Sequence, residues 1–169
     1  IAGMAKNNGQ PLIPPRGKTF EIAKYAPDYT DGTDRSVAEA ELAKLRIRLD
    51  DLQNIMYAQG KYALLVVLQG IDTSGKDSTV NSVFQVAGPI GSRVVNFGVP
   101  SDEEAAHDHL WRYHRQTPER GKVVIFNRSH YEGVLVVRVK DLVPKQVWSR
   151  RYRQINDFEQ MLSENGVVI

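Results

Sequence analysis

Gly70, Gly75 and Lys76 stand at the spacing of a phosphate-binding loop, G-x-x-x-x-G-K, within LLVVLQGIDTSGKDST, residues 64–79. In such a loop the backbone N–H groups cradle one phosphate and the lysine reaches the next along. Thr73, Ser74 and Asp77 supply further N–H groups to the cradle. The residue after the lysine is ordinarily a Ser or Thr that holds magnesium. Here it is Asp77, and a second carboxylate, Asp72, lies inside the loop. A carboxylate beside a phosphate is repulsive unless a cation separates them, so Asp72 reads as a ligand of Mg²⁺, with Mn²⁺ as the alternative. Asp77 reads either as part of that site or as a cap on the following helix. Ser78 offers its hydroxyl to phosphate, or to the metal in a shifted register.

The second half of such a site belongs at the end of a neighbouring strand, where an apolar run ends in a group that holds Mg²⁺. VVIFNRSHYE, residues 123–132, has that form, with Asn127 in the position of the usual acid. An amide oxygen binds a cation or its water without adding charge. Arg128 follows at the carboxyl end of the strand, where open α/β sheets bind ligands. A guanidinium fork suits a phosphate there; the plain alternative is a surface pair with a carboxylate. His130 and Tyr131 crowd the same edge and are given no catalytic role.

The elements that must position these groups are legible in the pattern. Ala63 to Gln69 is an apolar run of buried parallel-strand length. A helix from about Lys76 to Val86 follows the loop. SRVVNFGVP reads as a second strand, and Ser101 caps a helix running to about Arg115. Lys122 to Phe126 is a third strand. Tyr131 to Val139 is rich in valine, yet a parallel neighbour needs a long crossover, so it reads as helix. The stretch 143–166 reads as a long helix with Pro144 in its first turn, and Val167 to Ile169 opens a fourth strand. Ahead of all this, Ser36 begins a helix with Glu39 completing a capping box. Its stripe of Leu42, Leu45, Leu49, Leu52 and Met56 is expected to pack on the following domain. Strands alternating with helices predict a parallel α/β sheet with helices on its faces. Residues 1–35 hold many turn-forming residues and read as an irregular arm, with residues 36–169 as the domain. The strand-like ending GVVI predicts further chain beyond it.

The 169 residues, 41% hydrophobic and 25% charged, are the composition of one globular domain with a real core. A net charge of +2 means that any anion site must come from local clustering. The absence of Cys excludes thiolate zinc sites and Cys nucleophiles and fits a reducing cytoplasm. The longest apolar run is far too short to span a bilayer.

LLVVLQGIDTSGKDST together with IFNRSHYEGVLVVRV resembles the polyphosphate kinase 2 family, whose phosphate loop has the form G-x-D-x-x-G-K-D and whose partner strand ends in N-R-S or D-R-S. PSDEEAAHDHLWR and VPKQVWSRRYRQINDFEQML are similar too. The resemblance implies a P-loop kinase-like three-layer α/β/α fold and a cytoplasmic, homo-oligomeric enzyme. It implies Mg²⁺-dependent phosphoryl transfer between inorganic polyphosphate and nucleoside mono- and diphosphates, with no nucleic acid or membrane partner. Carried over, Asp72 and Asn127 organise the metal, Lys76 and Arg128 hold the phosphates in transfer, and Glu132 sits near the acceptor. Arg138, Lys145, Arg150 and Arg153 are then candidates for lining a polyphosphate channel, against the alternative of a solvated helix face. The chain departs from the resemblance at Gly133, where an acid is expected to add charge to the metal site, and in ending before the family's lid and C-terminal part.

Two rival readings follow from the residues. One is a kinase of the same fold with ATP as donor, disfavoured by the second Asp in the loop. The other is a nonenzymatic polyanion binder, disfavoured by the acids that offset the basic residues and by the lack of a nucleic-acid-binding signature.

Overall fold

The computed structural model describes residues 32–84 and 90–169. The chain divides into two units, residues 1–43 and 44–169. The arm expected over 1–35 lies, as far as residue 31, outside the described residues. Helix α1 (Arg35–Gln59) has its cap two residues earlier than the sequence reading has it. Asp34, and not Ser36, caps it: the Asp34 carboxylate accepts from the Ser36 N–H at 2.8 Å. An Asp just ahead of a helix satisfies an otherwise orphaned backbone donor, which places the first helical residue at 35. Glu39 instead pairs with Arg35 one turn away, at 2.7 Å.

The second unit holds the sheet. Strands β1 (Ala63–Leu68), β2 (Ser92–Asn96), β3 (Val123–Asn127) and β4 (Val167–Val168) pair in the order β2-β3-β1-β4. All the pairings are parallel, as the alternation with helices α2 (Lys76–Phe84), α5 (Glu132–Val139) and α6 (Lys145–Glu164) requires. Every residue of β3 is buried. On β1 only Ala63 and Leu65 are buried, alternate residues that share one face of the sheet.

The core gathers Leu65, Phe97, Tyr113, Val124, Phe126, Phe158 and Leu162. Phe97 meets Phe126 edge-on at 4.8 Å and Tyr113 at 4.4 Å. Burying an aromatic ring of this kind stabilises a fold by about 1.5–3 kcal/mol. Helix α6 contributes Ile155, Phe158 and Leu162 at spacings of three and four, the stripe expected of an amphipathic helix. Pro144 stands as its N-cap, just outside the first turn.

Two expectations fail in instructive ways. The helix expected from Ser101 to about Arg115 is broken into α3 (Asp102–Ala105) and α4 (Trp111–His114). The cause lies in Asp108, whose carboxylate accepts from the Leu110 N–H at 2.9 Å. That local turn competes with helix propagation. The capping box at the start of α3, Ser101 with Glu104, forms in full. On α1 the apolar stripe is only partly covered: Leu42, Leu49 and Met56 are half-buried. Leu45 and Leu52 are each 52% exposed, while Gln53 is buried. Arg46 reaches across to the carbonyl of Ser82 on α2. Polar anchors thus dictate the rotation of α1, and the stripe turns partly to solvent.

Candidate active site at the carboxyl edge of the sheet

Parallel strands present all their carboxyl ends on one edge, and the register aligns those ends. Leu68 lies opposite Asn127, and Asn127 lies opposite Asn96. The loop after β1 and the turn after β3 therefore emerge side by side.

The loop after β1 has the backbone its glycines permit. Gly75 adopts φ +84°, a left-handed conformation that glycine reaches at little cost. A Cβ at Gly70 would come within 2.5 Å of Ser74 Oγ, so the first glycine allows the loop to fold onto itself. Thr73, at φ 65°, takes the left-handed conformation without that freedom. The Lys76 ammonium curls over the loop and donates to the carbonyls of Gly70 at 2.9 Å and Ile71 at 2.7 Å. Leu68, Gln69, Gly70, Ser74, Lys76 and Thr79 line a cleft of about 270 Å³.

Across from it, Arg128 has φ 63°. For a residue with a Cβ this costs roughly 1–2 kcal/mol, and such outliers persist where the surroundings over-determine them. The Arg128 N–H donates to Leu68 O at 3.0 Å, extending the sheet one step. Its guanidinium pairs with the Asp72 carboxylate. Asn127 is buried, and its Nδ2 donates to Asp77 Oδ1 at 2.6 Å and to Asn96 Oδ1 at 2.8 Å. Two acceptors therefore fix the amide's orientation, and Asn127 Oδ1 is left buried without a partner among the described residues.

That orphaned oxygen tests whether the residues fit a metal. Among the described residues no group of three His, Cys, Asp or Glu stands ready as a cage. Mg²⁺ does not ask for one: it keeps several waters and binds through one or two carboxylates plus substrate phosphates. An unpaired amide oxygen at Asn127, beside Asp77 and near the loop that carries Asp72, fits that pattern. Of the alternatives for Asp77, its contact with Asn127 favours membership of the site over a helix-capping role.

Glu132 opens α5, and its Oε1 accepts from Gln69 Nε2 at 2.6 Å. Gln69 Oε1 accepts from the buried Ser129 hydroxyl at 2.9 Å. His130 Nε2 lies 2.8 Å from Glu159 Oε1 on α6, and the Tyr131 hydroxyl donates to the same oxygen. Burial and the Glu159 carboxylate push the Tyr131 phenol up. The hydrogen bond from His130 is the main influence holding Glu159 below its usual range. These contacts brace the turn against α6.

Position 133 faces elsewhere than expected. A Cβ there would meet His109 Cδ2 at 3.3 Å and Arg151 Nη1 at 3.8 Å. An acid at 133 would thus answer His109 and Arg151, and the expectation of added charge at the metal site is corrected. Arg151 Nη1 donates to the Gly133 carbonyl at 3.0 Å, and His109 Nε2 is buried without a partner among the described residues. Burial and the nearby Arg151 hold the His109 imidazole below its ordinary value.

The candidate channel residues are less concentrated. The Arg138 guanidinium lies 5.0 Å from the Trp148 ring, and Arg153 lies 4.0 Å from Asp157. Lys145 and Arg150 are exposed on α6. Gln69, Asn96 and Glu159 were missed by sequence reasoning. A polar residue ending each neighbouring strand was the available signal for the first two; Glu159, one acid among several on a long helix, gave none.

Comparison with known proteins agrees with this geometry. A family model described as polyphosphate kinase 2 (PPK2) matches residues 32–169. The chain is 51% identical over 160 residues to the AMP/ADP-polyphosphate phosphotransferase of Meiothermus ruber, covering 93% of this chain and 59% of that one. It is 42% identical over 142 residues to the ADP-polyphosphate phosphotransferase of Rhodopseudomonas palustris, covering 76% and 49%. It spans about half the length of these curated relatives. Among solved structures, polyphosphate kinase 2 from Arthrobacter aurescens TC1 superposes with a TM-score of 0.85 at 39% identity, over 89% of this chain and 56% of that one. With strand order, loop and partner turn all accounted for, the chain belongs to the polyphosphate kinase 2 family.

Proposed function

We propose that the protein transfers a phosphoryl group between inorganic polyphosphate and nucleoside mono- and diphosphates, AMP, ADP, GMP and GDP, with Mg²⁺. One observation carries the reading: the lysine loop after β1 and the Asn127–Arg128 turn after β3 meet at one sheet edge, with Arg128 on Asp72 and Asn127 on Asp77. The names of the relatives support polyphosphate and adenine nucleotides as the substrate pair.

In this reading the loop N–H groups and Lys76 hold one end of the reacting phosphates, and Arg128 grips the group in transfer from the opposite side. As the bond from the acceptor's terminal phosphate oxygen to the moving phosphorus forms, its bond to the donor chain breaks. Asp72 and Asn127, with Asp77 beside them, would hold Mg²⁺, or Mn²⁺ in its place. The bound ion would neutralise charge on the phosphate oxygens. Arg128 exchanges its Asp72 partner for phosphate oxygens, a swap between acceptors that costs little reorganisation. Glu132 faces the acceptor nucleotide. Lys145, Arg150 and Arg153, exposed on α6, and Arg138 offer a basic track for the polyanion. Among the described residues no helix is long and apolar enough to cross a membrane, and a cytoplasmic setting completes the reading. Exposed Leu45, Leu52 and Ile55 on α1 support a homo-oligomer.

The test is phosphorylation of AMP and ADP with polyphosphate as the only donor, with and without Mg²⁺. Product that requires both is expected. Turnover with ATP alone would install the ATP-donor kinase instead, and salt-sensitive RNA binding without turnover would install the polyanion binder.

A further inference from the structure

Gln69 is the residue between the last strand position of β1 and the first glycine of the phosphate loop. Its side chain does not enter the loop. It crosses to the turn after β3 and takes hold of both ends of it. Nε2 donates to Glu132 Oε1 at 2.6 Å, and Oε1 accepts from Ser129 Oγ at 2.9 Å. Ser129 is fully buried and its oxygen also accepts from the Tyr131 N–H at 3.2 Å. The chain of bonds therefore runs from Tyr131 through Ser129 and Gln69 to Glu132.

We propose that Gln69 is a positioning residue for phosphoryl transfer: its amide clamps Ser129 and Glu132, and so fixes the Arg128 turn and the Glu132 carboxylate against the phosphate loop. The proposal rests on the function proposed above. At neutral pH an amide has the required chemistry at this length, a donor for a carboxylate and an acceptor for a hydroxyl on one planar end; a carboxyl group matches it only when protonated. The donor contact is charge-assisted, the stronger kind of hydrogen bond. Arg128 lies immediately before the clamped residues in a left-handed conformation, which persists only where its surroundings enforce it. With the Arg128 N–H on Leu68 O, the Gln69 clamp is the enforcing contact from the β1 side. Glu159 supplies the contact from α6. Among the described residues Tyr113 on α4 faces the same carboxylate, and its phenol feels the Glu132 charge.

The test is the near-isosteric Gln69→Glu, with Gln69→Met and the exchange Gln69→Glu/Glu132→Gln beside it. Rates with polyphosphate and nucleotide, and melting temperatures, are followed from about pH 5.5 to 9. In Gln69→Glu a carboxylate faces the Glu132 carboxylate, and such a pair shares a proton at low pH with one pKa strongly raised. That raised folded-state pKa makes the variant lose stability as pH rises. Its kcat/KM is expected to fall about 100-fold at pH 8, the scale of a misplaced reacting group, and to recover most of the loss below about pH 6. Its melting-temperature deficit should grow over the same interval. Gln69→Met should lose rate equally at every pH. The exchange should restore the melting temperature, since the amide introduced at position 132 can donate to the carboxylate introduced at position 69. A Gln69→Glu enzyme that parallels the wild type in rate and melting at every pH overturns the clamp. A rate loss that does not change with pH reduces Gln69 to a structural residue and overturns its positioning role. A wild type without polyphosphate-dependent turnover overturns the reaction itself, and the pH-dependent melting gap then still decides whether the clamp exists.

Discussion

Asp77 and Asn127, fifty positions apart in the chain, are joined by a 2.6 Å hydrogen bond from the amide nitrogen to the carboxylate. The bond fixes which way the Asn127 amide points and leaves its oxygen buried and, among the described residues, unpaired. Asp77→Asn removes the acceptor charge that holds this orientation. The Mg²⁺ concentration giving half-maximal rate should rise about tenfold or more, the usual cost of losing an outer partner of a metal ligand. An unchanged Mg²⁺ titration curve would detach Asp77 and Asn127 from the metal.

Lys76→Ala should lower kcat at least about 100-fold, the scale for removing one charge-stabilising donor. Among the described residues the lysine bonds only loop atoms, Gly70 O, Ile71 O and Ser74 Oγ, so the circular dichroism spectrum should not change. Near-full activity with polyphosphate would refute the phosphate-loop assignment.

Arg128 separates function from stability. At φ 63° the backbone favours glycine. Arg128→Gly is expected to melt no lower than the wild type, while losing at least about 100-fold in rate through the missing phosphate fork. Arg128→Lys keeps the charge but not the fork and should also be slow. Should Arg128→Gly unfold at markedly lower temperature with its activity preserved, the arginine is a structural residue paired to Asp72.

His109 gives stability a pH dependence of known sign. Its folded-state value is depressed, first by burial and then by Arg151, with a smaller contribution from His130 and opposition from Asp108. The unfolded chain then binds the proton more readily than the folded one. Stability is full above the unfolded histidine value of about 6.5 and falls as pH drops below it. Gly133→Asp sets a Cβ 3.3 Å from His109 Cδ2 and 3.8 Å from Arg151 Nη1 and so brings a carboxylate near both. It should raise the melting temperature by about 2–4 °C and flatten or reverse the acid-side loss. Melting curves at pH 5 and 7.5 for the two proteins check this; equal slopes would show that position 133 does not face His109.

The sequence by itself determined the parts whose causes are local. Apolar run length marked β1 and β3, the glycine spacing marked the phosphate loop, and Ser101 marked a helix cap that forms. The crossover rule made a helix of the valine-rich stretch now seen as α5. Even the family was legible, because Asp72, Asp77, Asn127 and Arg128 stand in short contiguous motifs. Only the tertiary structure decided which of these groups meet. Partnership across fifty or sixty residues depends on strand order and register, here the alignment of Leu68, Asn127 and Asn96, and nothing in a single segment encodes it. That is why Gln69 and Asn96 passed unnoticed and why Asp77 stayed undecided. It also explains the two reversals. The stripe on α1 lost in part to the polar anchors at Arg46 and Gln53, and Gly133 turned toward Arg151, because a helix's rotation is chosen by its neighbours and not by its own pattern.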